Sequence, residues 1–154
     1  MRFWLMKSEP DVFSIDDLAR ERTTGWEGVR NYEARNIMRD LMKPGDQVLF
    51  YHSNAKPSGV AGLAKVDGLP IPDPTQFDRR SPYYDAASTA AAPRWQMVRI
   101  AFVQRFRDVL PLERLKAHKA LEGMALLRKG QRLSVQAVQP KHFRAVLKLA
   151  NADR

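Results

Sequence analysis

Eleven consecutive residues, Trp26-Glu27-Gly28-Val29-Arg30-Asn31-Tyr32-Glu33-Ala34-Arg35-Asn36, bring together an indole, a phenol, two guanidiniums and two carboxamides. Only Val29 and Ala34 are aliphatic. Gly28 allows another group to approach the backbone closely. Flat rings and planar amides are the groups that stack on a heterocycle and read its polar edge. The same residues also admit a plainer reading, a glycine turn leading into an amphipathic helix with Trp26 in the core and the arginines solvated. Residue types alone leave both open.

Covalent chemistry finds no comparable constellation. The chain has no G-x-S-x-G, P-loop, G-x-G-x-x-G or H-E-x-x-H sequence and no cysteine. His118 and Glu122 are four residues apart, but two ligands do not make a metal site. His52, Ser53 and Asp46 have the residue types of a hydrolase. Neighbouring strand residues point to opposite faces, however, so His52 is badly placed to act as a base for Ser53. No cofactor and no metal are expected.

The elements that must position the aromatic run follow from periodicity. Ala34, Ile37, Met38, Leu41 and Met42 recur at helical spacing, with Asn31 as N-cap and Glu33 in the first turn. Pro44-Gly45-Asp46 ends that helix, and Gln47 to Ser53 reads as a strand. Before the run, Arg2 to Lys7 reads as a strand apolar on both faces, hence central. Ser14 caps a short helix that fades by Thr23-Thr24-Gly25. After it, Val60 to Val66 pairs back as an antiparallel strand, its Ala61, Gly62 and Ala64 either opening a pocket or letting a helix pack close. Trp95 to Phe106 and Arg132 to Val138 are further strands. Pro111 opens one helical stretch and Pro140 the last helix, striped by Phe143, Val146, Leu147 and Ala150. Residues 68–93 form an irregular excursion, which Phe77, Tyr83 and Tyr84 can pin to the body. The expectation is one domain over 1–150, α+β, with five strands among short helices and no regular βαβ alternation.

Composition narrows the partner. No apolar run approaches bilayer length, so a membrane span is excluded, and the absence of cysteine fits a cytoplasmic protein. The net charge is +9. It is unevenly placed: residues 94–148 hold 13 basic and 3 acidic side chains, whereas residues 1–93 hold 12 and 13. A surplus of this kind points to an anionic partner.

In order along the chain, Trp4-Leu5, Lys7-Ser8-Glu9-Pro10, Phe13-Ser14, Asp16-Asp17-Leu18, Trp26 to Tyr32, Ala34-Arg35-Asn36, Gly45-Asp46, Phe50-Tyr51-His52-Ser53, Gly62, Asp73-Pro74, Tyr84-Asp85, Pro93-Arg94-Trp95 and Arg132-Leu133-Ser134-Val135 together resemble the EVE domain family. The likeness covers Trp4 to about Leu147. It implies a PUA-like fold, a small mixed β-barrel of five to six strands flanked by short helices, with kinship to PUA, ASCH and YTH domains that bind RNA or modified bases. It also implies binding of DNA that carries modified cytosine, such as 5-methylcytosine, by base flipping into a pocket.

Combined with the residue reading, this gives a set of expected roles. Trp26 and Trp95 supply two ring faces, and Asn31, His52 and Ser53 hydrogen-bond the base edge, with Ser8 and Ser134 as further candidates. Arg30 and Arg35 reach phosphates at the mouth, while Arg128, Lys129 and Arg132 add sequence-independent attraction. Glu9 is a candidate anchor for Arg30. The protein is expected to be non-catalytic and monomeric. The alternatives are an RNA-binding module, a small-ligand-binding module and a hydrolase or nuclease using His52.

Overall fold

The computed structural model describes residues 1–152. In chain order the elements are β1 (Phe3–Ser8), α1 (Ile15–Glu21), β2 (Thr23–Gly25), α2 (Tyr32–Asn36), β3 (Gln47–His52), β4 (Gly59–Val66), β5 (Ile71–Pro72), β6 (Gln96–Met97), β7 (Arg99–Pro111), α3 (Leu112–Ala117), β8 (Val135–Val138) and α4 (Pro140–Ala152). A π-helical turn, Ile37–Leu41, extends α2, and single 3₁₀ turns lie at Pro74–Phe77, Lys119–Leu121 and Ala125–Leu127.

Six of these strands form one mixed sheet in the order β2-β7-β4-β3-β1-β8, curled into a half-barrel, and β5 and β6 make a separate two-stranded ribbon. This is the α+β, PUA-like architecture expected. The parallel pair β1 and β3 lies inside the sheet, with Trp4 opposite Val48 and Met6 opposite Phe50. Parallel strands are normally covered on both faces, and their sequences are apolar on both. Trp4, Met6, Val48 and Phe50 pack on Ile15, Leu18, Ala34 and Met38 from α1 and the α2 segment. The alternate residues Leu5, Leu49 and Tyr51 pack on Leu115, Phe143 and Val146 from α3 and α4.

Buried polar groups lock the ends of this pair. The Trp4 indole donates to Asp46 Oδ2 at 2.9 Å, and the same carboxylate accepts the N–H groups of Arg2 and Lys43. Burial opposes the charge on Asp46, but these donors outweigh it and hold its carboxyl below the ordinary value.

Three boundaries differ from the sequence reading, each for a tertiary reason. Thr23–Gly25 is an edge strand rather than a fading helix, because Thr24 pairs with Ile100 of β7. The strand expected over 95–106 is divided: Gln96–Met97 pairs with β5, and β7 then runs to Pro111. The strand expected from Arg132 begins at Val135. Around Leu133 side chains replace the ladder, since Gln131 accepts its N–H and Gln136 donates to its carbonyl.

Gly62 decides between the two readings of β4. A Cβ there would lie 2.4 Å from the Gln104 carbonyl oxygen and 2.9 Å from Ile15 of α1. The small residue lets a helix and a strand approach and does not open a pocket. Gly62→Ala is therefore expected to destabilise the fold by about 1–3 kcal/mol, measured by urea denaturation. An unchanged midpoint would show that the neighbouring backbone yields freely.

Candidate nucleic-acid interface

The loop between β2 and α2 carries the aromatic run, and it is shaped from outside itself. Trp26 donates its backbone N–H to Val98 at 2.8 Å, fixing the loop's start to β7's approach. Asn31 caps α2 by accepting the Ala34 N–H at 3.0 Å. Between them Gly28 has a φ of +82°, and a Cβ on it would meet the Tyr83 ring at 2.7 Å. Its N–H donates to Asp73 Oδ2 at 2.7 Å. Asp73 and Tyr83 both come from the irregular excursion.

Asp73 is fully buried and accepts three further hydrogen bonds, from the Thr75 N–H at 2.8 Å, the Thr75 hydroxyl at 2.6 Å and the Arg30 guanidinium at 3.1 Å. Burial pushes against its ionisation, but the Thr75 hydroxyl, the N–H groups of Gly28 and Thr75, and Arg30 hold its carboxyl below the usual range. Gln76, also fully buried, ties the excursion to the strand side through the carbonyl and N–H of Trp95.

A cavity of ≈ 490 Å³ opens against this loop. It is lined by residues 24–31, by Lys7 and Ser8 at the end of β1, by Glu9, Val12 and Phe13 after it, by Ser134 before β8, and by Tyr83. Trp26 is 8% exposed, and its ring stands edge-on to Phe50 at 5.6 Å. Ser8 donates its hydroxyl to the Phe13 carbonyl at 2.6 Å, leaving oxygen lone pairs as acceptors. Because the Asn31 side-chain oxygen is committed to the cap, its NH₂ is the group left to donate. Such a surface combines an aromatic wall with converging donors and acceptors and suits a flat polar heterocycle.

Of the expected base-pocket residues, Trp26, Asn31, Ser8 and Ser134 line this cavity. Trp95, His52 and Ser53 do not. Trp95 is 6% exposed, donates its indole N–H to Asp85 at 2.8 Å and stacks on Tyr32 at 4.7 Å, so the two indoles do not face each other across a cavity. The His52 ring nitrogen Nε2 accepts the Ile15 N–H at 3.1 Å and thereby caps the start of α1. Ser53 donates its backbone N–H to the Ser8 carbonyl.

The arginines are likewise redistributed. Arg30 lines the cavity, but its donors reach the carbonyls of Val29 and Tyr83, Asp73 and Thr75 in five hydrogen bonds. A guanidinium has five N–H groups, so none is left for a phosphate. Its Cζ lies 5.2 Å from the centre of the Trp95 ring and 5.6 Å from that of Tyr83. The anchor of Arg30 is Asp73 and not Glu9, which accepts from Asn54 instead. Arg35 lies off the cavity, 4.7 Å from the Tyr32 ring, and donates to the Arg94 carbonyl. Arg128, Lys129 and Arg132 are exposed, and Arg128 borders a second cavity between β8 and the α2 segment.

Phe13, Glu27 and Tyr83 are cavity residues that the sequence reading assigned no pocket role. Glu27 stood inside the aromatic run and offered a signal. Tyr83 was marked only as a residue that can pin the excursion to the body; more than 50 residues separate it from the loop it covers, so its place at the cavity was not legible. Among the described residues no group of three or more His, Cys, Asp or Glu could hold a metal ion, and no helix is long and apolar enough to cross a membrane.

Comparison with known proteins follows the same lines. The EVE domain model matches residues 2–149. Thymocyte nuclear protein 1 of Homo sapiens is 44% identical over 97% of this chain and 74% of that protein. Among solved structures, a hypothetical protein from Leishmania major superposes with a TM-score of 0.94 at 47% identity, covering 99% of this chain and 96% of that one. Human thymocyte nuclear protein 1, solved in complex with DNA containing 5-methylcytosine, gives 0.89 at 43% identity, covering 97% and 98%. An ASCH protein from Zymomonas mobilis, 10% identical with a TM-score of 0.57 and covering 97% and 99%, shares the fold.

Two outcomes test this scaffold. Asp73→Ala strands the Gly28 N–H and the Arg30 charge and should lower stability by about 3–5 kcal/mol, read by urea denaturation. His52 is held neutral in the fold, chiefly by burial and against the pull of Asp16. Its unfolded counterpart takes up a proton below about pH 6.5. The unfolded state then binds more protons, so stability is full above that pH and declines as pH falls towards the lowered folded value. His52→Gln should flatten the decline that sets in below about pH 6.5, and an unaltered profile would remove His52 as its source.

Proposed function

The chain belongs to the EVE domain family, and we propose that it is a non-catalytic binder of DNA that takes a flipped modified cytosine into the cavity beside Trp26. The observation that carries this reading is the cavity itself: ≈ 490 Å³, walled by an indole, with Asn31, Ser8 and Ser134 at its polar side. The related human protein solved with 5-methylcytosine DNA supports the choice of ligand. Trp26 stacks on the base, the Asn31 amide donates to a ring acceptor, and Ser8 and Ser134 take the remaining edge. Phe13 and Tyr83 fill the wall that Trp95 was expected to provide.

Energetically the site needs two contributions. Stacking supplies on the order of 1–3 kcal/mol per base, against an unstacking cost of a few kcal/mol. Phosphate contacts must offset the remainder, and the exposed cations Arg128, Lys129 and Arg132 supply them without reading sequence. The domain, over residues 1–150, works as a monomer without a cofactor. Its freedom from cysteine suits the cytoplasm.

Fluorescence anisotropy with matched duplexes tests the reading. Trp26→Ala should weaken binding to a 5-methylcytosine duplex by roughly 5- to 150-fold and abolish its preference over the unmodified duplex, while weak salt-sensitive binding persists. A retained preference would remove Trp26 from the pocket. Reversing Arg128, Lys129 and Arg132 to glutamate should weaken every duplex alike, and no effect at low salt would place the docking surface elsewhere. Competition with the matching RNA decides the polymer, tighter RNA binding turning the assignment to an RNA module.

A further inference from the structure

Glu27 is the one carboxylate of the cavity lining that is left without a partner. Glu9, the other acid there, accepts from Asn54 at 2.6 Å. Among the described residues the Glu27 carboxylate makes no hydrogen bond and no ion pair, although its backbone N–H donates to the Gly25 carbonyl and it sits in the segment that Asp73, Gly28 and Arg30 hold rigidly. Partial burial pushes its carboxyl above the ordinary value, with Asp73 adding to the rise and Arg30 opposing it. Arg30 cannot turn to satisfy it, since all its N–H groups are engaged. Glu27 stands exposed at the mouth of the cavity, so its carboxylate oxygens are open to a donor from a ligand.

We propose that Glu27 is the residue that selects an exocyclic amine on the flipped base, accepting a hydrogen bond from the N4 amino group of cytosine. An ionised carboxylate has acceptors only. It pairs with the cytosine amine and repels a carbonyl at the same ring position. The cavity's other polar groups complement this division of labour. The Asn31 amide donates, as the ring nitrogen and carbonyl of cytosine require, and Glu27 takes the amine. 5-Methylcytosine and thymine share the ring methyl group and differ at this position, amine against carbonyl, so a methyl-sensing wall alone does not separate them. The inference rests on the base-pocket reading above.

The test compares 5-methylcytosine, thymine and an abasic residue, each placed opposite an abasic site so that no base pair has to be broken. The wild-type protein should prefer 5-methylcytosine to thymine by tenfold or more, and Glu27→Gln should bring that ratio close to one, because an amide can turn to meet either group. Asn31 and Trp26 stay in place, and Glu27 is exposed as a whole, so the thermal midpoint should hold. If Glu27→Gln keeps the wild-type ratio while both proteins still prefer 5-methylcytosine to the abasic residue, the Glu27 assignment is overturned and the pocket survives. If the wild-type protein does not distinguish 5-methylcytosine from the abasic residue, the pocket reading falls, and this assignment with it.

Discussion

The buried carboxylate of Asp73 is the interaction on which the rest of the site depends. It collects the Gly28 N–H, the Thr75 N–H and hydroxyl, and the Arg30 guanidinium within one fully buried cluster. A charge in that position is stable only while its donors are aligned. The loop conformation is thus imposed by an electrostatic requirement arising more than 40 residues downstream. The irregular excursion, which has little regular structure of its own, acts as the clamp for the aromatic loop.

From that clamp the aromatic residues extend as a column. Arg35 lies on Tyr32, Tyr32 stacks on Trp95, and Arg30 lies between Trp95 and Tyr83. Each guanidinium–ring contact is worth about 0.5–1 kcal/mol at such partly exposed places, and planar groups resist bending as a stack. Trp95 belongs to this column and braces the pocket from behind. Tyr83 ends it and reaches the cavity. The division explains why only some of these rings line the cavity: the others hold Arg30 and the loop still.

Charge is divided as well. The cavity sits in the part of the chain whose acids and bases nearly cancel, while the basic surplus belongs to residues 94–148. Selective contacts with a base need desolvated, well-placed groups, whereas attraction to a phosphate backbone acts over a Debye length and tolerates loose geometry. In the proposed reading, separating the two lets the cavity discriminate without being dominated by nonspecific attraction.

Much of this was legible in the residues themselves. The doubly apolar strand Phe3–Ser8, the capped helix after Ser14, the Asn31 cap and the strand Gln47–His52 all follow from local periodicity and capping chemistry. Those signals are local because hydrogen bonds to the first turn and side-chain alternation involve near neighbours. The aromatic run likewise marked Trp26 and Asn31 as cavity residues. Residue type could not say which rings would be braces, that His52 would cap α1, or that Arg30 would spend every donor inside the protein. Those outcomes depend on which distant partner the fold brings to hydrogen-bonding distance: Asp73 for Gly28, Tyr83 for Arg30, Ile15 for His52. The sequence by itself determined most of the elements and marked the aromatic loop that lines the cavity, through interactions that span a few residues. The tertiary structure alone decided which side chains face the cavity, because burial leaves each polar group with only the partners that the fold brings to it.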